Sequence, residues 1–196
     1  MLRTPLPLAI MLVAACDDTA PAPTTGLTDI EIRALVPLLV QPGLTMLGTM
    51  QPGSTTAQVP VSIEVNEVIP CPLGGAVTVS GSLSGEIPET GTGTLALELL
   101  KQFDGCRADV NGETITVTTE APVNLTGDLR ITVNQPAEVQ TVALLGVIQV
   151  IPPQGAAETC DVDLDIALTM STGLATVTGE LCGRTVSETF FWNEAG

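Results

Sequence analysis

After residue 58, apolar and polar residues alternate one for one along much of the chain. Val59, Val61, Ile63 and Val65 are separated by Pro60, Ser62, Glu64 and Asn66. Side chains two apart share one face of a strand, so this run predicts a half-buried β-strand. The same alternation returns over residues 77–83, 95–99, 115–119, 129–133, 162–168 and 174–181, with Thr and Val prominent. Gly74-Gly75, Gly91-Thr92-Gly93, Asn111-Gly112, Pro152-Pro153 and Gly179 are the expected punctuation between runs, because these residue types favour turns over ladders. Seven or more short strands joined by turns predict a mainly β fold, an antiparallel sandwich or partly closed barrel.

Residues 28–50 break this period. Thr28 followed by Glu31 fits a capping box, in which each side chain covers the other's orphan backbone N–H. Ile30, Ala34, Leu35, Leu38 and Leu39 then fall on one helical face, Pro37 predicts a kink, and Gln41-Pro42-Gly43 predicts a stop. A short N-terminal helical segment, one helix or two, thus precedes the sheet. A helix lying on a membrane would carry several Lys or Arg, and this one has only Arg33, so packing on a sheet face is expected. The other readings are a membrane-surface element and a lid over an apolar pocket.

The amino terminus has a different grammar. Arg3 precedes an apolar run over residues 5–15, eleven residues including Pro5 and Pro7, whereas a transmembrane helix takes about 20. A positive start, a short apolar run and small residues before a break mark an export signal that is removed. The run ends in Leu12-Val13-Ala14-Ala15-Cys16, which resembles the bacterial lipobox. That resemblance implies a diacylglyceryl thioether on Cys16, cleavage just before it, and acylation of the new amino terminus. Residues 17–28, DDTAPAPTTGLT, lack apolar periodicity and have the composition of a tether. The expected organisation is a signal peptide over residues 1–15, a lipid anchor and tether over 16–28, and a single disulfide-stapled β-rich domain with its leading helix over 29–196. The resemblance implies a cell-envelope location, with the membrane as partner through the lipid on Cys16. Asp17 directly after the cysteine resembles the inner-membrane retention signal of enteric bacteria, which implies the inner rather than the outer membrane.

Charge narrows the partners. The chain has 22 acidic and 6 basic residues and a formal charge of −16, and all the acidic residues lie beyond the signal segment. Such a field repels nucleic-acid phosphates, so no nucleic-acid partner is expected. With Cys16 assigned to lipid, Cys71, Cys106, Cys160 and Cys182 remain, an even number in an exported protein, which predicts two disulfides. Cys71–Cys106 and Cys160–Cys182 is the favoured pairing, since each couple brackets a strand-rich segment and closes a modest loop; two other pairings stay open. No C-x-x-C spacing exists, so no metal site is expected.

The chemistry left to such a chain is sparse. Histidine and tyrosine are absent and Lys101 is the only lysine, which removes histidine-activated nucleophiles and histidine metal sites. Carboxylate pairs would still serve glycoside hydrolysis, but Phe103, Phe190, Phe191 and Trp192 are the only aromatic residues, few for stacking sugar rings and enough only for a largely aliphatic core. Asp161, Asp163 and Asp165 form the richest acidic cluster. An EF-hand loop starting at Asp161 would need Gly and Glu where Ile166 and Thr172 stand, and alternation with Val162, Leu164 and Ile166 places the aspartates on the solvent face of a strand. No catalytic residue and no cofactor is expected. The segments around the two cysteine pairs look loosely duplicated, and Cys71-Pro72-Leu73-Gly74-Gly75 with Leu181-Cys182-Gly183-Arg184 resembles bacterial lipoproteins bearing threonine-rich β-domains, a likeness that implies no activity. The expectation is a noncatalytic binding or structural module; the alternatives are a carrier holding an apolar ligand between helix and curved sheet, and a carboxylate-based hydrolase.

Overall fold

In the computed structural model the described residues are 26–42, 44, 59–87, 92–132, 138–169 and 172–192. Cys16, with the signal segment and the tether up to residue 25, lies outside them. Helix α1 (Asp29–Val40) opens the described chain. Its start is the capping box read from sequence: Glu31 N–H donates to Thr28 Oγ1 at 3.3 Å while the Glu31 carboxylate accepts from Thr28 N–H at 2.6 Å. The buried set is Ile32, Leu35, Val36, Leu38, Leu39 and Val40. Ile30, expected on the buried face, is exposed instead, because the helix is enclosed mainly over its last two turns and its first turn stands clear.

Ten strands follow: β1 (Val59–Pro70), β2 (Ala76–Ile87), β3 (Thr92–Asp104), β4 (Cys106–Val110), β5 (Glu113–Thr118), β6 (Val123–Thr132), β7 (Glu138–Ile151), β8 (Glu158–Thr169), β9 (Leu174–Leu181) and β10 (Arg184–Phe191). Every pairing is antiparallel. The strands form one unclosed sheet in the order β1-β2-β3-β6-β7-β8-β9-β10, with β5 joining β4 to β7. The fold is therefore mainly antiparallel β and sandwich-like, with the short helix α1 before the sheet. β3 runs through a corner at Gly105 into β4, and β5 runs through residues 119–122 into β6. The two halves pair as a long bent hairpin whose tip is Asn111-Gly112, at φ 56° and 86°, the left-handed pair a tight two-residue hairpin requires.

The alternation read from sequence is the alternation of burial. In β3, Leu95, Leu97, Leu99, Lys101 and Phe103 face inward, and in β8 Cys160, Val162, Leu164, Ile166 and Leu168 do so. Helix and sheet residues join one hydrophobic cluster. Three strands were not visible in the period: β4 has only five residues, β7 is almost continuously apolar over residues 142–148, and β10 turns Glu188 partly inward. Two turn assignments fail. Gly179 lies within β9, where a Cβ would stand 2.1 Å from the Asp163 carbonyl oxygen, so the glycine permits close strand approach rather than a turn. Thr92 and Gly93 begin β3.

Candidate functional site

Three features of the described residues have the chemistry to do something: a buried amine, an acidic outer face and a disulfide-stapled end of the sheet. The amine belongs to Lys101, which occupies a core-facing position of β3 between Leu99 and Phe103, opposite the buried Val79 and Val123. It is fully buried, and among the described residues no other charged side chain is. Its Nζ donates to the carbonyl oxygens of Leu39 and Val40. These belong to the last turn of α1, which has no basic residue of its own and whose final carbonyls lack intrahelical donors. Burial disfavours the charged form and pushes the Lys101 amine down to about 7. Both partners are main-chain carbonyls in a closed environment, so the amine fastens the helix to the sheet and is shielded from any substrate. The inward period of β3 was a signal for this lysine in the sequence; its partners on the helix were not.

The outer face carries Asp161, Asp163 and Asp165, all exposed and alternating with buried residues, as the period predicted. Across the ladder they oppose Val147, Leu145 and Ala143 of β7, and Asp163 also opposes Glu180 of β9. Among the described residues no group of three or more Cys, Asp or Glu side chains is placed to hold a metal ion. Where β6 gives way to β5, residues 146–148 of β7 lack a strand partner on that side. A shallow notch of about 390 Å³ opens there, lined by Glu120, Ala121, Pro122, Val147, Gln149 and Thr159 among others. A second hollow of about 320 Å³ lies between α1 and β10, where Arg33 meets Glu188 at 3.1 Å and Asp29 pairs with Arg184. The carboxylates of this hollow are thus matched to arginines rather than to each other. Leu35, Val36 and Leu39 pack into the cluster beneath the helix, where an apolar cargo would have to sit.

The third feature gathers the cysteines. Cys71 bonds to Cys106 and Cys160 to Cys182, the favoured pairing. The first links the turn after β1 to the start of β4, and the second links β8 to the turn after β9. Register places both at one end of the sheet: Pro70 opposes Ala76, Ala76 opposes Asp104, Thr116 opposes Ile151, Val150 opposes Glu158, and Leu181 opposes Arg184. The amino-terminal chain joins the domain at this end, where Gly26 N–H donates to Glu158 Oε1 at 2.8 Å. Cys16, the predicted lipid site, lies outside the described residues. No protein-family model, curated protein or solved structure matches this chain.

Proposed function

We propose that this chain is a lipid-anchored protein of the bacterial cell envelope whose β-domain acts by binding or as a structural component, without catalysis. The cysteine pairing carries this reading. Four of the five cysteines close two disulfides inside the domain, so Cys16, at the end of the lipobox-like Leu12-Val13-Ala14-Ala15-Cys16, is the one left over for a lipid. Two disulfides also fit an oxidising compartment beyond the cytoplasm. The noncatalytic half is supported by the disposition of the charges. The buried amine is engaged with helix carbonyls, the arginines beside α1 are paired with carboxylates, and the acidic row faces water.

Metabolic labelling with palmitate in a bacterial host tests the anchor. The intact protein should take up label and partition with membranes, and Cys16→Ser should take up none and either remain as uncleaved precursor or appear in the soluble fraction. Label retained by Cys16→Ser would overturn the reading.

A further inference from the structure

We infer that the disulfide-stapled end of the sheet is the face this protein turns toward a lipid bilayer, with Ile30, Val68, Leu73 and Ile151 entering the interfacial layer. The inference rests on the lipid anchor proposed above and adds an orientation to it. Tether length is the first ground. Nine residues separate Cys16 from Gly26, and at most about 3.5 Å per residue keeps Gly26 within roughly 35 Å of the lipidated sulfur. Gly26 sits at the stapled end, bonded to Glu158. β1, β2 and β8 have 12 residues each, a length of about 36 Å at ~3.3 Å per residue. Resting the opposite end on the bilayer would therefore demand a tether stretched to its full length, whereas the stapled end lies within easy reach.

Exposed apolar side chains are the second ground. Ile30, Val68, Leu73 and Ile151 are 55%, 67%, 47% and 41% exposed, and all belong to the stapled end: the first turn of α1, the end of β1, the turn after it, and the end of β7. A single register path connects two of them. Leu73 N–H donates to the Arg107 carbonyl at 3.2 Å, Arg107 opposes Thr116, and Thr116 opposes Ile151. Arg107 thus stands beside Leu73 with Thr116 between it and Ile151, its guanidinium lying so close over Gly74 that a Cβ there would be 2.8 Å from Nη2. Exposed apolar side chains at the same end as a guanidinium suit the boundary between acyl chains and lipid phosphates. Asp109 and Glu113 border the nearby hairpin tip, so the complementary surface is one rich in zwitterionic rather than anionic lipid.

The test uses the full lipidated chain in phosphatidylcholine vesicles whose acyl chains carry bromine, which quenches nearby tryptophan. In a Trp192→Phe background, Leu73→Trp and Ile151→Trp report on the stapled end, and Phe191→Trp, at an exposed position of the opposite end, is the control. Side chains at interfacial depth should be quenched, while Phe191→Trp keeps its emission. Flotation of the same samples separates the two claims. Protein that fails to float with the vesicles lacks the anchor, which overturns both. Protein that floats with Leu73→Trp and Ile151→Trp unquenched, or with Phe191→Trp quenched equally, overturns the orientation alone. Hydrogen exchange on the unsubstituted lipidated protein gives a second reading should a variant fold poorly: vesicle binding should protect the amides of residues 73–75 and 154–155, and equal protection at residues 190–192 would contradict the inference.

Discussion

Lys101 Nζ lies 3.2 Å from the carbonyl oxygen of Val40, a residue 61 positions earlier in the chain. The carboxyl end of a helix concentrates unpaired carbonyls and partial negative charge. Here a side chain from the centre of the sheet answers them. The bond fixes the end of α1 inside the sheet, while the ion pairs Asp29–Arg184 and Arg33–Glu188 guide its exposed side along β10.

This relationship makes stability depend on pH in a window where few other groups titrate. The folded-state amine is pushed down to about 7 from its usual 10.5, so between those values the unfolded chain holds a proton that the folded chain does not. Stability should rise as pH climbs from about 7 to about 10, by a few kcal/mol, and be lost again as pH falls toward 7. The neutral amine keeps two N–H groups for the two carbonyls. The chain has neither histidine nor tyrosine, and the four bridged cysteines do not titrate. Denaturant midpoints measured from pH 6 to 10 should show the rise, and Lys101→Met should flatten it; an equal slope in the variant would assign the effect elsewhere.

The amino-terminal end of α1 makes a separate prediction. Thr28 and Glu31 exchange three hydrogen bonds at the surface, so Thr28→Ala should cost about 1 kcal/mol of unfolding free energy and Thr28→Ser almost nothing. Since the two residues act as one cap, Thr28→Ala with Glu31→Ala should cost less than the sum of the single changes. Strict additivity in urea titrations would contradict the capping box.

How far sequence reading reached depended on which relationships were local. The capping box spans three residues, and both disulfides join nearby segments, 35 and 22 residues apart; these could be read directly. β8 could also be read, because it has one wet and one dry face. β7 could not, since it lies inside the sheet and exposes Leu145 and Val147 on its outer side, erasing the period. β10 was hidden by Glu188, whose half-inward placement makes sense only with Arg33 on a helix far away in sequence. Lys101 lies just beyond the alternation read over residues 95–99 and continues its inward face, but a lone lysine among leucines acquires meaning only from the carbonyls of α1.

The staples should be worth measuring one at a time. Loops of 35 and 22 residues correspond to about 3 to 4 kcal/mol each from the chain entropy they remove. Cys71→Ala with Cys106→Ala, and Cys160→Ala with Cys182→Ala, should each lower the unfolding free energy by that order, read from denaturant titrations. Thiol titration of the unfolded, unreduced protein should find none of these four free. A peptide map joining Cys71 to Cys160 or Cys182 would reject the pairing.

The acidic outer face gives the sharpest contrast between neighbouring residues. Asp163 and Glu180 oppose each other across β8 and β9 and both point to solvent, and like charges directly opposite destabilise a ladder. Asp165 instead opposes Thr178, and Asp161 opposes Val147. Asp163→Asn should therefore raise stability by about 0.2 to 1 kcal/mol at low salt, an advantage that shrinks as added salt screens the pair. Asp161→Asn and Asp165→Asn should each stay within about 0.5 kcal/mol of the parent. If the row is a solvated face, calcium should leave the melting temperature unchanged in all four proteins. A calcium-dependent rise of several degrees in the parent, lost in Asp163→Asn, would show that the paired carboxylates bind the cation, because a ligand held only by the folded state must stabilise it.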